Sequence, residues 1–296
     1  MHLPVLIKEA IEALHIQKGR KYIDATVGEG GHALEIVKRG GRLLAIDVDP
    51  KAVERARKRI EETREKERDG GQAGEPSFAV GNFRNIARIA KDKGFNRVSG
   101  ILFDLGVSSV QLEGNGKGLS FTNDSPLDMR LDPDLPRTAA DLVKTLSQEE
   151  LYEIFTRNAQ EDLARPISQA LVIARRIKPI YSTRQLAEVV ASVAKRRSRL
   201  HPATKVFLAL RIEVNDEIKA LKEGLTQAIG LLEKKGRLVV ISFHETEDRI
   251  VKQLFKKIHK ENKILLLTKK PIVPGSDEQG ANPRARSAKL RIAERV

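Results

Sequence analysis

Asp24-Ala25-Thr26-Val27-Gly28-Glu29-Gly30-Gly31-His32 is the stretch on which the reading of the fold turns. It follows a short apolar run at 21–26 and precedes a helical pattern at about 31–39. Strand, glycine-rich turn and helix in that order form a ligand-binding unit. Glycines let the backbone turn sharply and approach a ligand closely. The start of the following helix exposes N–H groups that have no partner within the helix. Asp47 closes a second apolar run, at 42–49, where a carboxylate can accept both hydroxyls of a ribose. Loop and carboxylate together read as a site for an adenosine-type cofactor.

Two cofactor classes fit the loop. Gly28-x-Gly30-x-x-Ala33 satisfies the dinucleotide fingerprint, which admits a nicotinamide cofactor. S-adenosylmethionine is favoured on charge, because Asp24 and Glu29 would repel a pyrophosphate, while Asp24 suits the amino acid end of the methyl donor. A tight turn without any ligand is the remaining alternative.

Outward from the loop, apolar strand patterns recur at 78–80, 98–105, 237–243, 263–268 and 288–293. Helical patterns at 4–15, 50–60, 83–93, 204–232 and 247–259 lie among them. Strands that alternate with helices and are apolar throughout predict a mainly parallel sheet covered on both faces. The rhythm changes after Gly106. The segment 114–134 is rich in Gly, Asp, Pro and Asn and reads as a long functional loop rather than core, with Gly114-Asn115-Gly116-Lys117-Gly118 at its start a mobile substrate loop. Ser147-Gln148-Glu149-Glu150 is a capping box that opens a helix through Phe155. Further helices are expected at 166–176 and 183–194. The simplest organisation is one α/β domain, 1–109 and 204–296, split by a helical insertion at 110–203.

Ile101-Leu102-Phe103-Asp104-Leu105-Gly106 ends an apolar strand in a carboxylate. Ligands of open α/β sheets lie beyond the carboxyl ends of the strands, which places Asp104 beside the cofactor. A carboxylate there can hold the N–H of an exocyclic base amine and support its lone pair during attack. A cap on the next helix is the structural alternative for Asp104.

Composition narrows the partner. Fifty-four basic residues stand against forty acidic ones, a formal net charge of +14, which points to a polyanion such as nucleic acid. Aromatic residues make up only 4% and there is no Trp, so charge and one captured base fit better than an aromatic stacking platform. No apolar run reaches the eighteen or so residues of a membrane span. Nothing at the start reads as an export leader, and the absence of cysteine fits a cytoplasmic protein. Lys195-Arg196-Arg197-Ser198-Arg199 is a candidate RNA contact. Arg284, Arg286, Lys289 and Arg291 alternate as on a strand with one basic face, for phosphate contact or as charges guarding an edge. His244-Glu245 begins a zinc-protease motif, but Asp248 stands where the second His is required, so no metal site is expected.

Ordered blocks along the whole chain carry a resemblance. They include His2-x-Pro4-Val5-Leu6, Asp24-x-Thr26-x-Gly28-x-Gly30-Gly31-His32, Asp104-Leu105-Gly106-Val107-Ser108-Ser109-x-Gln111-Leu112 and Pro126-Leu127-Asp128-Met129-Arg130. Later come His201-Pro202-Ala203-Thr204, Ile241-Ser242-Phe243-His244 and Asn282-Pro283-Arg284-Ala285-Arg286-Ser287. In these the chain resembles the bacterial ribosomal RNA small subunit methyltransferase H family, formerly called MraW. The resemblance implies a class I S-adenosylmethionine-dependent methyltransferase fold, Rossmann-like, with a mainly parallel seven-stranded sheet and a helical inserted domain. It implies that Gly30, Gly31, His32, Asp47, Phe83, Asp104 and Gln111 bind the methyl donor, with Phe83 near the adenine. The implied reaction is methylation of a cytidine N4 amino group in the decoding centre of 16S rRNA, with the small ribosomal subunit as partner and the insertion engaging RNA. Departures fall at Glu245, Thr246, Leu119, Leu208 and Asn158-Ala159-Gln160, away from the glycine loop, Asp47 and Asp104.

Overall fold

The computed structural model describes residues 4–66, 74–107, 116–194 and 201–296. By contacts the chain divides into two compact units, Met1–Gly106 with Ile218–Val296, and Val107–Glu217.

The first unit is built on seven strands: β1 (Lys21–Asp24), β2 (Arg42–Asp47), β3 (Ser77–Val80), β4 (Val98–Asp104), β5 (Leu232–Ser242), β6 (Ile264–Leu266) and β7 (Lys289–Arg295). Their order across the sheet is β3-β2-β1-β4-β5-β7-β6. β1 to β5 run parallel, and β7 is antiparallel to both β5 and β6. This is the class I methyltransferase sheet expected from the sequence. Alternating side chains feed two cores. Ile23, Leu44, Ile46, Ile101, Phe103, Leu238 and Val240 point to one face. Tyr22, Leu43, Ala45, Leu102, Val239 and Ile241 point to the other. A strand with apolar residues at every position can only be satisfied by such two-sided burial.

Helices α1 (Ile7–Leu14), α2 (Gly31–Lys38) and α3 (Pro50–Lys66) cover the second face with Ile11, Leu14, Ala33, Ile36, Ala56 and Ile60. The opposite face packs under α4 (Ile86–Asp92), in the same unit, which contributes Ile86 and Ile89.

Among the described residues, the second unit has its own core under five helices: α5 (Ala139–Thr145), α6 (Gln148–Ala159), α7 (Ala164–Ile177), α8 (Thr183–Val193) and α9 (Thr204–Val214). Thr138, Ser147 and Ser182 each open a helix with a reciprocal capping box. The sequence reading ended the insertion at 203, whereas α9 packs Val206, Phe207 and Leu210 into this second core. The single helix expected over 204–232 is two, α9 and α10 (Glu217–Leu231). Asp216 breaks it with a left-handed φ of 49°. Asn215 turns its side chain to the 129–131 backbone, donating to the Met129 carbonyl at 2.8 Å and accepting from the Leu131 N–H at 2.8 Å.

Those bonds also fasten the long functional loop expected at 114–134, of which only 114–118 is expected to be mobile. In its described part, 116–134, the Met129 N–H donates to the Lys117 carbonyl at 2.6 Å. Arg130 grips Asp128 through both carboxylate oxygens at 2.7 and 2.9 Å. That fork, with two further bonds from Arg130 to backbone carbonyls, gives the segment a defined conformation.

The C-terminal basic alternation resolves differently from its expectation. Arg284 and Arg286 lie on a 3-10 turn, Pro283–Ser287, not on a strand. β7 is an interior strand, so it has no edge to guard. Arg291 is buried and pairs with Asp248 through two bonds of 2.6 and 3.1 Å. Asp248 belongs to α11 (Glu245–Lys260), which packs Ile250, Val251, Phe255 and Ile258 on the sheet. Burial of β7 turned a presumed basic face into an internal ion pair. A final short helix, α12 (Ser276–Ala281), was not foreseen.

Candidate cofactor site

The strand ends of the first unit converge as the sequence required. The loop after β1 is held from both sides: the Ala25 N–H donates to the Leu102 carbonyl at 2.9 Å, and the Val27 N–H to the Ile46 carbonyl at 2.8 Å. It closes on itself where the Gly30 N–H meets the Val27 carbonyl at 2.7 Å. Gly30 sits at a φ of 75°, left-handed backbone that favours glycine, and immediately precedes α2. Gly31 is demanded by space instead. A Cβ there would lie 2.1 Å from the Pro4 ring, so the N-terminal segment packs against the loop.

Asp47 accepts from the Gly28 N–H through one oxygen and from the Asp49 N–H through the other, both at 2.9 Å. A carboxylate oxygen can accept more than one hydrogen bond, which leaves capacity for a ligand hydroxyl. Burial pushes its pKa up to about 6, against those two backbone N–H groups. Asp24, fully inside at the end of β1, is pushed up to about 7 by burial; the Thr26 N–H opposes the shift and the charge of Asp47 adds to it. Burial lowers the pKa of His32 to about 4, so its imidazole is neutral at pH 7.

Asp104 ends β4, and its backbone N–H donates to Thr26 Oγ1 at 2.6 Å. Its Oδ2 lies 3.5 Å from His32 Nδ1. His32 is neutral, so this contact is not a salt bridge, and the Asp104 carboxyl is itself raised well above its usual range. The Asp104 shift comes first from burial, then from the charges of Asp24 and Glu247, with Arg284 opposing. Its Oδ1 and His32 Nε2 are buried and have no hydrogen-bond partner among the described residues. Buried polar atoms without partners are costly, and at the mouth of a sheet they mark a place where a ligand completes the bonding.

Phe83 follows β3 in a short 3-10 turn and meets Phe103 edge to face, with ring centroids 5.5 Å apart. Gly224 of α10 makes room for it: a Cβ at Gly224 would come within 2.8 Å of the Phe83 ring. Gln111 and the basic run 195–199 were also expected to take part, and both lie outside the described residues.

Two details revise the sequence argument. Glu29 was expected to repel a pyrophosphate, but Arg55 Nε neutralises its carboxylate at 3.0 Å, and Arg59 holds its carbonyl at the same distance. The charge argument against a dinucleotide therefore rests on Asp24 alone, which burial drives toward neutrality. His244, in turn, caps α11: its Nδ1 faces the Glu247 N–H at 3.4 Å and its Nε2 lies 3.0 Å from Glu247 Oε1. Glu247, whose burial sequence reading missed, also accepts from the Phe243 N–H at 2.9 Å and adds a carboxylate to the field around Asp104.

The carboxylate cluster has a consequence for stability. Between pH 4 and 7 the folded protein holds protons on Asp24 and Asp47 that the unfolded chain, with ordinary carboxylates, releases. Stability from this source is complete below about pH 4 and is lost as pH rises through 6 and 7. Thermal melts from pH 5 to 7.5 should show this fall, and Asp24→Asn should flatten it. An unchanged slope in Asp24→Asn would refute the assignment of the proton to Asp24.

No helix among the described residues is long and apolar enough to cross a membrane. A model of the MraW methylase family matches residues 1–296. Relatives named ribosomal RNA small subunit methyltransferase H align with all of this chain. That of Thermomicrobium roseum is 46% identical over 94% of its own length. That of Carboxydothermus hydrogenoformans is 44% identical over 98%. Among solved structures, TrmN from Thermus thermophilus covers 98% of this chain and 48% of its own, at 13% identity and a TM-score of 0.44, too slight a likeness to argue from. Full-length matches at this identity, on a chain whose glycine loop, Asp47 and Asp104 lie at the carboxyl ends of neighbouring strands, leave one conclusion: the chain belongs to the MraW methylase family.

Proposed function

We propose that this protein transfers a methyl group from S-adenosylmethionine to the N4 amino group of a cytidine in the decoding centre of small-subunit 16S rRNA. The observation that carries the reading is the placement of a buried, unpartnered carboxyl oxygen on Asp104 beside the glycine loop, in a chain whose full-length relatives bear a small-subunit rRNA methyltransferase name. When bound, S-adenosylmethionine supplies an electrophilic methyl group on a positively charged sulfur.

The residues present fit that group. Gly30, with its left-handed φ, and Gly31 give the loop the tight turn that presents its backbone to the amino acid end, Asp47 retains lone pairs for the ribose, and Phe83 offers a ring for the adenine. Asp24, Asp47 and Asp104, with Glu247 beside Asp104, form a cluster of acids suited to a cation, and a nearby positive charge pulls the pKa values of the three aspartates down toward the ionised form. Ionised Asp104 then accepts an N–H of the cytosine amine. Holding that N–H directs the nitrogen lone pair out of ring conjugation and stabilises the cation that develops as the bond forms. Neutral His32, in contact with Asp104 Oδ2, orients the carboxylate without competing for charge. The helical second unit serves RNA recognition, the partner is the small subunit, and the setting is the cytoplasm.

The test is transfer of labelled methyl from S-adenosylmethionine to small subunits purified from a strain lacking the enzyme. Recovery of the label as N4-methylcytidine is the expected result. Label on another base overturns the acceptor, and no label with a bound nicotinamide cofactor overturns the donor.

A further inference from the structure

The net positive charge is not spread evenly, and α11 carries a concentration of it that the site does not use. One face of this helix is committed to the core through Ile250, Val251, Phe255 and Ile258. The opposite face presents Arg249, Lys252, Lys256 and Lys260, all exposed. Their spacing is i, i+3, i+7 and i+11. At about 100° per residue this confines the four charges to an arc of about 80°. At about 1.5 Å per residue the row is about 16 Å long.

No acidic residue occurs between Arg249 and Lys260. Of the acids in the helix's first turn, Glu245 meets Lys289 and Asp248 meets Arg291 and Lys289 of β7, while Glu247 is taken by His244 and the Phe243 N–H. Glu261, just past the helix, is taken by Lys263 at 2.8 Å. None of the four cations in the row has a hydrogen bond or ion pair among the described residues. Some cations on other helices of the same unit are matched: Arg55 with Glu29, Lys58 with Glu62, and Lys219 with Glu223.

Structure alone does not account for such a row. Like charges three and four residues apart destabilise a helix. The helix dipole favours Lys260 in the last turn and gives no compensation to Arg249, Lys252 and Lys256, which lie outside it. The row also has a direction. α11 begins directly after β5, whose Ile241 is in register with Asp104 of β4. Arg249 is therefore near the end of the sheet where the cofactor residues converge, and Lys260 is at the far end of the helix.

We propose that the outer face of α11 is a docking strip for the phosphate backbone of the substrate RNA, on nucleotides flanking the one that enters the site. This rests on the RNA reading of the function and extends it to a surface of the sheet unit itself. A strip of about 16 Å spans on the order of five nucleotides of one strand at about 3.4 Å each. A row of cations without interleaved aromatic side chains reads charge and position, not base identity.

The experiment uses the full-length protein carrying Lys252→Ala, Lys256→Ala and Lys260→Ala together. Binding to 16S rRNA is followed over a salt series, with kcat, KM and S-adenosylmethionine affinity measured alongside. With about 0.7 counterions released per single-strand contact, the log–log salt slope should fall in magnitude by about 2. KM for RNA should rise about tenfold or more while kcat at saturation and cofactor affinity stay at wild-type values. A control with Lys91→Ala, Lys93→Ala and Arg97→Ala, exposed cations at the end of α4, should leave the slope unchanged. A wild-type slope in the α11 variant, or an equal drop in the control, overturns the strip and leaves the methyltransferase reading standing. Weakened binding to intact subunits with free RNA unaffected overturns it in favour of a ribosomal protein contact. A wild-type enzyme that neither binds nor methylates small-subunit RNA overturns both readings together.

Discussion

Replacing Asp104 by alanine should abolish methyl transfer while leaving the fold, and the binding of RNA, intact. A positioned group that handles the proton of a reacting amine contributes roughly 10²–10⁴-fold to a rate. That corresponds to about 3–5 kcal/mol of barrier at about 1.4 kcal/mol per decade. The loss should appear in single-turnover kcat. The carboxyl is half-inside, crowded by the charges of Asp24 and Glu247, and one of its oxygens has no partner among the described residues. Such a group costs the folded state free energy, so its removal should leave the melting temperature unchanged or raise it. That combination, an inactive enzyme of equal or greater stability, distinguishes a catalytic role from a structural one. Asp104→Asn should be nearly as inactive, since the amide is a weaker acceptor and never carries charge. Turnover within a few-fold of wild type in Asp104→Ala would end the assignment. A sharp drop in melting temperature would instead favour the helix-capping alternative.

Gly31→Ala is the second change with a large expected effect. The added methyl would stand 2.1 Å from Pro4 Cγ and within 3.3 Å of two further ring atoms, far inside contact distance. Either the N-terminal segment is displaced or the first turn of α2 moves. Overpacking of this kind costs about 1–3 kcal/mol. At about 2–4 °C per kcal/mol for a chain of this size class, the melting temperature should drop by several degrees. Cofactor affinity should fall as well, because the strained residue is the first of α2 and adjoins Gly30. Gly31→Ala combined with Pro4→Ala should recover most of the stability, since the two positions meet directly and such neighbours are not additive. If the double variant is no better than the single one, the clash is not the cause.

Much of this arrangement was legible locally. The strand-loop-helix unit from Asp24 to His32 depends on glycines at fixed positions and on apolar runs too short to be anything but strands. The two-sided burial of the sheet was visible because Leu43-Leu44-Ala45-Ile46 and Ile101-Leu102-Phe103 have no polar face. Asp47 and Asp104 were found because each ends such a run. The capping box at Ser147 was equally plain, since its partners lie within four residues. By contrast, the break between α9 and α10 was missed because Asn215 answers to backbone groups more than eighty positions earlier.

The sequence by itself determined the strands, the loop and the carboxylates at the strand ends, because periodicity, turn chemistry and strand ends are short-range properties. Tertiary structure alone decided which charges remain charges. Arg291 read as a surface cation until β7 was placed inside the sheet against Asp248. Glu29 read as a free carboxylate until α3 brought Arg55 to it. Asp24, His32 and Asp104 acquire shifted pKa values only where burial removes water from around them. Ion pairing and desolvation depend on distances between residues far apart in the chain, and those distances exist only after folding.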